Sequence, residues 1–188
     1  MRGSSARINR VPISAAEIDK YPWSACYIQR QMTQVPTAEE NIAALGFKLP
    51  ALPAPGGNYV PAKQAGNILY LSGVISIGPQ GVISGTAGID RSIEEGYAAA
   101  RACALTQLAV LKRELGSLDL VAEVLTVNGY VNAAPGFADS PAMINGASDL
   151  LVQVFGESGR HVRAAVGVSA LPRNALVEIQ MTIRVRES

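Results

Sequence analysis

The chain has 188 residues, 48% hydrophobic and 16% charged, with a formal net charge of +1. That is ample for one folded core and excludes disorder throughout, while the absence of a positive excess argues against nucleic-acid or anionic-membrane partners. No run approaches the roughly 20 apolar residues of a membrane span, and the opening MRGSSARINRVP carries no apolar leader, so the expected location is the cytoplasm.

Cys26 and Cys103 lie far apart, with no metal-ligand spacing between them. His161 is the only histidine, which excludes a histidine-pair zinc site and leaves little room for a histidine-based triad. An aromatic content of 5% argues against base-stacking platforms.

Residues 1–31 hold the only tryptophan, Trp23, and show no sustained period. Either they are a native arm or the chain truly starts at Met32. Residues 37–46, TAEENIAALG, read as a short helix opened by a capping box of Thr37 and Glu40. Residues 1–47 are taken as an N-terminal extension and 48–188 as the domain. Residues 48–58, with three prolines and two glycines, form a loop or extended arm.

From there the pattern is regular. Residues 59–64 are a short strand, Gly66-Asn67 a turn, and the apolar run 68–77 one buried strand. A turn at 78–81 and a short strand at 82–84 follow. Residues 92–115 are the clearest helix: Ile93, Tyr97, Ala100, Ala104, Leu108, Leu111 and Leu115 recur at spacings of three and four. Ser92 and Glu95 make its capping box, and Gly116 suits the left-handed position past its end. Residues 120–131 form a strand. A second helix is expected over about 141–155, with Ser140 as N-cap, Pro141 at the first helical position and Gly156 as the stop. A strand at 162–168 leads to a turn at 171–174. The last strand, 176–185, alternates strictly: Val177, Ile179, Met181, Ile183 and Val185 face one way, and Glu178, Gln180, Thr182 and Arg184 the other. The sum is an α+β fold, a single mixed sheet with two helices on one face.

Four stretches then match a family in order and spacing: Tyr59-Val60 with Gly66-Asn67 and Leu71-Ser72-Gly73; Gly129-Tyr130-Val131 with Phe137-Ala138; Arg163-Ala164-Ala165-Val166-Gly167-Val168 with Leu171-Pro172; and Val177-Glu178-Ile179. Over roughly 56–185 the chain resembles the RidA/YjgF family, also called the L-PSP endoribonuclease family. The resemblance implies a fold of the bacterial chorismate mutase type, a homotrimer with clefts at the subunit interfaces, and no metal or organic cofactor. It also implies hydrolysis of imines or enamines of small carboxylic acids to keto acids and ammonia.

By the same resemblance Arg163 holds the substrate carboxylate, for which its planar fork is suited. Glu178 places and activates water, then returns a proton to the leaving ammonia. Tyr59 and Ser72 border the cleft, and Ala165 replaces a cysteine whose backbone, more than its thiol, serves substrate binding. Each has a plainer reading: an arginine paired with an acid, a solvated strand glutamate, a half-buried packing tyrosine, an ordinary strand serine. His161 either reaches the cleft mouth or is an exposed strand-entry residue. Gln107 replaces a family asparagine, and a longer segment around 138–145 marks a divergent branch. A non-catalytic trimer that binds small carboxylates is the alternative. A ribonuclease finds no basic patch, histidine pair or metal cluster to work with.

Overall fold

A computed structural model describes residues 36–52 and 57–187. Trp23, Cys26 and Met32, and the choice between arm and alternative start, lie outside the described residues. The order is α1 (Ala38–Ala44), β1 (Ala62–Ala65), β2 (Ile68–Leu71), β3 (Val74–Ile75), β4 (Ile77–Gly78), β5 (Gly81–Val82), α2 (Ile93–Leu115), β6 (Val121–Asn132), α3 (Ser140–Phe155), β7 (Val162–Val168) and β8 (Val177–Val185).

The main sheet runs β1-β2-β8-β6-β7, with β3 also paired to β8, while β4 and β5 form a separate ribbon. Only the β6/β7 pair is parallel, because α3 carries the chain back across the sheet between them. The sheet is therefore mixed, with β1 and β7 at its edges.

The alternation in the last strand is realised: Val177, Ile179, Met181 and Ile183 are fully buried against the helices. From α2 come Ala100, Ala104, Leu108 and Leu111, and from α3 Met143, Ile144, Ala147, Leu150 and Leu151. The buried stripe of α2 is wider than its period suggests and takes in Ala99, Cys103 and Gln107, because α2 meets α3 along its flank as well as the sheet beneath. That flank is tight at Gly146, where a β-carbon would overlap the carbonyl oxygen of Tyr97. The short helix α1 packs on the same core through Ala38 and Ile42. Its expected capping box is formed, as is that of α2.

Three local expectations change. Residues 68–77 do not make one strand: pairing with β8 breaks at Ser72-Gly73 and resumes at Val74. The first strand starts at Ala62, so Tyr59 precedes it. Ser140 lies inside α3 rather than capping it; Asp139 holds the cap position, without a side-chain cap bond. The segment around 138–145 is accordingly mostly the first turn of α3 rather than loop.

Candidate active site

Gln107 reaches the break at Ser72-Gly73. From the buried side of α2 its Nε2 donates to the carbonyls of Ser72 (2.9 Å) and Ile179 (2.8 Å). Ile179 also pairs with Val74 where the ladder resumes, so Gln107 ties Ser72, inside the break, to the strand beyond it. On the other side of the sheet the break leaves an open cavity of about 650 Å³, lined by Tyr59, Ser72, Tyr130, Leu171, Glu178 and Gln180 among others.

Glu178 sits at the floor of that cavity. It pairs across the sheet with Tyr130 and with Ile75, and its carboxylate lies over Gly73, where a β-carbon would overlap Oε1. Burial raises its pKa above the ordinary carboxylate value, since partial removal from water disfavours the anion. Among the described residues it makes no ion pair. Ser72 turns its hydroxyl onto the carbonyl of Val60 (2.7 Å), tying the segment beside Tyr59 to the cavity wall. The Leu171-Pro172 wall passes into Arg173 and Asn174, both left-handed at φ 58° and 55°. Asn132 Nδ2 donates to Asn174 Oδ1 (3.0 Å), holding that turn.

Arg163 is elsewhere. It pairs with Val127, which is fully buried toward the helices, whereas Glu178 pairs with Tyr130. An odd offset along β6 places the two on opposite faces of the sheet. Arg163 lies on edge strand β7 and is exposed, and its Nη1 donates to Asn145 Oδ1 (2.8 Å) and Ser148 Oγ (3.0 Å) of α3. Among the described residues it too makes no ion pair. Within the described residues, then, no acid neutralises it. Ala165 lies on the same strand and face, partly buried. His161 is half-buried rather than exposed: its ring bonds to Ser148 Oγ (2.9 Å) and the Gly159 carbonyl (2.7 Å).

One chain thus brings Tyr59, Ser72 and Glu178 together and leaves Arg163 and Ala165 on the other side. Gly73 and Tyr130 belong to the site without having been assigned to it from the sequence, although both fall inside the quoted motifs. Asn145 and Ser148 carried no such signal, since their bonds to Arg163 span 18 and 15 residues. Cys103 is buried, with its Sγ 3.6 Å from the Val177 carbonyl, and burial pushes its thiol pKa up, so it is no nucleophile. Among the described residues no group of three or more metal-ligating side chains occurs, and no helix is long and apolar enough to cross a membrane.

A family model described as "YjgF/chorismate_mutase-like, putative endoribonuclease" matches residues 39–184. Protein TCP17 of Trypanosoma cruzi is 43% identical over 149 residues, covering 77% of this chain and 92% of that protein. A 2-iminobutanoate/2-iminopropanoate deaminase of Dermatophagoides farinae is 29% identical over 134 residues, covering 71% of this chain and 91% of its own length. Among solved structures, the protein Atu1372 of Agrobacterium tumefaciens, whose function is described as unknown, superposes with a TM-score of 0.74 at 38% identity, covering 86% of this chain and 99% of its own.

Proposed function

The chain belongs to the YjgF/chorismate mutase-like family, and from that premise we propose that it hydrolyses imines or enamines of small carboxylic acids to keto acids and ammonia. The observation that carries this reading is Glu178, a half-buried carboxyl with raised pKa and no ion-pair partner among the described residues, on the floor of an open cavity. The similarity to an iminobutanoate/iminopropanoate deaminase supports the reaction class.

In the proposed mechanism the Glu178 carboxylate takes a proton from water as its oxygen attacks the C=N carbon. That proton passes to nitrogen to give the carbinolamine; Glu178 then takes the carbinolamine's hydroxyl proton and delivers it to nitrogen as well, so the C–N bond breaks, the C=O bond forms and ammonia leaves. One imine and one water give one keto acid and one ammonia. A carboxyl whose pKa is raised toward the working pH suits both halves of this exchange. The hydroxyls of Tyr59 and Ser72 border the path, and Arg163 binds the substrate carboxylate.

Because Arg163 and Glu178 occupy opposite faces of one sheet, a ligand held by both lies between two copies of the chain. Tyr70, Val162 and Val166 are 50%, 69% and 46% exposed, and their registers with Thr182, Thr126 and Tyr130 put all three on the Glu178 face. Large apolar side chains collected on one open sheet face favour its burial against another copy. We take the assembly to be a homotrimer, with Arg163 and the Ala165 backbone of one subunit completing the Glu178 cavity of the next.

The test is turnover. Imino acids generated in situ by an amino-acid oxidase or a dehydratase are followed to keto acid with wild type, Arg163→Ala and Glu178→Gln. Acceleration by wild type that both variants lose supports the reading. Carboxylate binding without acceleration for any imine would replace it with a ligand-binding protein.

A further inference from the structure

Arg163 is a lone cation on an edge strand, and a long side chain in that position needs something to hold it. Two acceptors do so, Asn145 Oδ1 and Ser148 Oγ, both on the same guanidinium nitrogen, Nη1. They stand three residues apart on α3 and so share one face of the helix. Behind Ser148 stands His161, whose ring bridges Ser148 Oγ and the carbonyl of Gly159.

The direction of every bond in this chain is determined by chemistry. The Gly159 carbonyl can only accept, so His161 Nδ1 carries a hydrogen. In a neutral ring Nε2 is then an acceptor and takes the hydrogen of the Ser148 hydroxyl. Ser148 Oγ therefore presents a lone pair to Arg163 Nη1, which can only donate. Burial, with the Arg163 cation adding to it, holds the His161 pKa below its ordinary value against the opposing pull of the Gly159 bond, which keeps the ring neutral. Among the described residues no bond engages Nε or Nη2 of Arg163. The pin on Nη1 leaves the side-on fork of the guanidinium available for a carboxylate, and a carboxylate is best met by two parallel bonds.

We propose that Ser148 and His161 are positioning residues for substrate binding: a directed chain, Gly159 carbonyl to His161 to Ser148 to Arg163, aims the guanidinium fork at the substrate carboxylate. This rests on the reading of Arg163 as the carboxylate site. It identifies His161, outside the Glu178 cavity, as the determinant of how well a carboxylate is held. The chain bears on binding rather than on the proton transfers, so its loss raises KM and leaves kcat nearly unchanged.

The experiment uses untagged full-length protein, in which His161 is the only histidine. Pyruvate, a keto-acid product mimic, is titrated calorimetrically into wild type, Ser148→Ala, Ser148→Thr and Arg163→Ala, and imine turnover is measured on the same proteins. Ser148→Ala is expected to weaken pyruvate binding and raise KM by about tenfold, the net worth of one hydrogen bond, with kcat within about twofold of wild type. Ser148→Thr, which keeps the hydroxyl, restores both. Nitrogen-15 spectra of the imidazole are expected to show hydrogen on Nδ1, with the Nε2 resonance moving when pyruvate binds in wild type but not in Ser148→Ala. Wild-type affinity in Ser148→Ala, or hydrogen on Nε2, overturns this inference alone. Unchanged pyruvate affinity in Arg163→Ala overturns it together with the reading on which it rests.

Discussion

Substituting Gly73 by alanine separates the position of Glu178 from the stability of the fold. The new methyl would overlap Oε1 of Glu178 and stand 3.2 Å from Cδ and 3.5 Å from Cγ. The backbone at Gly73 is not left-handed, so alanine brings no conformational strain there. What must yield is the far end of a flexible side chain, and restoring ordinary contact moves the carboxylate by roughly 1 Å. A displacement of that size costs about 100-fold in rate when the moved group handles the reacting atoms, or ~2.7 kcal/mol of transition-state stabilisation. The folded state should change by less than about 1 kcal/mol, because alanine also restricts the unfolded chain. Keto-acid release measures the first quantity and urea unfolding the second. Full activity in a stably folded Gly73→Ala protein would refute the claim that the placement of Glu178 over Gly73 matters to catalysis.

Glu178→Gln should lower kcat by about 10²- to 10⁴-fold, the usual contribution of a general acid–base group, while pyruvate binding persists; calorimetry and turnover on one preparation check both. Because burial raises the Glu178 pKa, the folded state binds this proton more readily than the unfolded chain. That contribution to stability is present below the ordinary value of 4.5 and lost as pH rises through the folded value. Urea midpoints measured from pH 4 upward should therefore fall for wild type relative to Glu178→Gln. Gln107→Leu removes the donor to the Ser72 and Ile179 carbonyls and should destabilise by about 1–3 kcal/mol, less whatever is recovered from its buried, unpartnered Oε1; urea unfolding reads it. Gly146→Ala drives a methyl into the Tyr97 carbonyl between two packed helices, where neither backbone can turn aside. It should cost about 1–3 kcal/mol, seen as a lowered Tm.

The elements that read clearly from sequence are those whose pattern is set by one large neighbour. β8 alternates because one of its faces meets the helices, and α2 repeats at 3.6 because it lies along the sheet. The interruption at Ser72-Gly73 was hidden because the apolar residues on either side of it, Ile68 to Leu71 and Val74-Ile75, read together as one strand. What meets the backbone at the break is a side chain from α2, Gln107, 35 residues away from Ser72. Ser140 has the residue type of a cap but sits one position inside, with its hydroxyl buried and unpartnered. Of the residues singled out from the sequence, Tyr59, Ser72 and Glu178 line one cavity and Arg163 does not. Their division between two sheet faces was not legible in the sequence, because it follows from the pairing of β6 with β7 on one side and β8 on the other. The pinning of Arg163 depends on how α3 lies over β7, which no local period records.

That division makes complementation between two inactive variants the most direct measurement. Arg163→Ala and Glu178→Gln proteins are mixed, unfolded together, refolded and assayed for imine turnover. If each cleft joins Arg163 of one subunit to Glu178 of its neighbour, random mixing around a ring restores about one quarter of the sites, and activity should return to roughly that share of wild type. Mixed oligomers that form and stay as inactive as their parents would contradict the shared cleft.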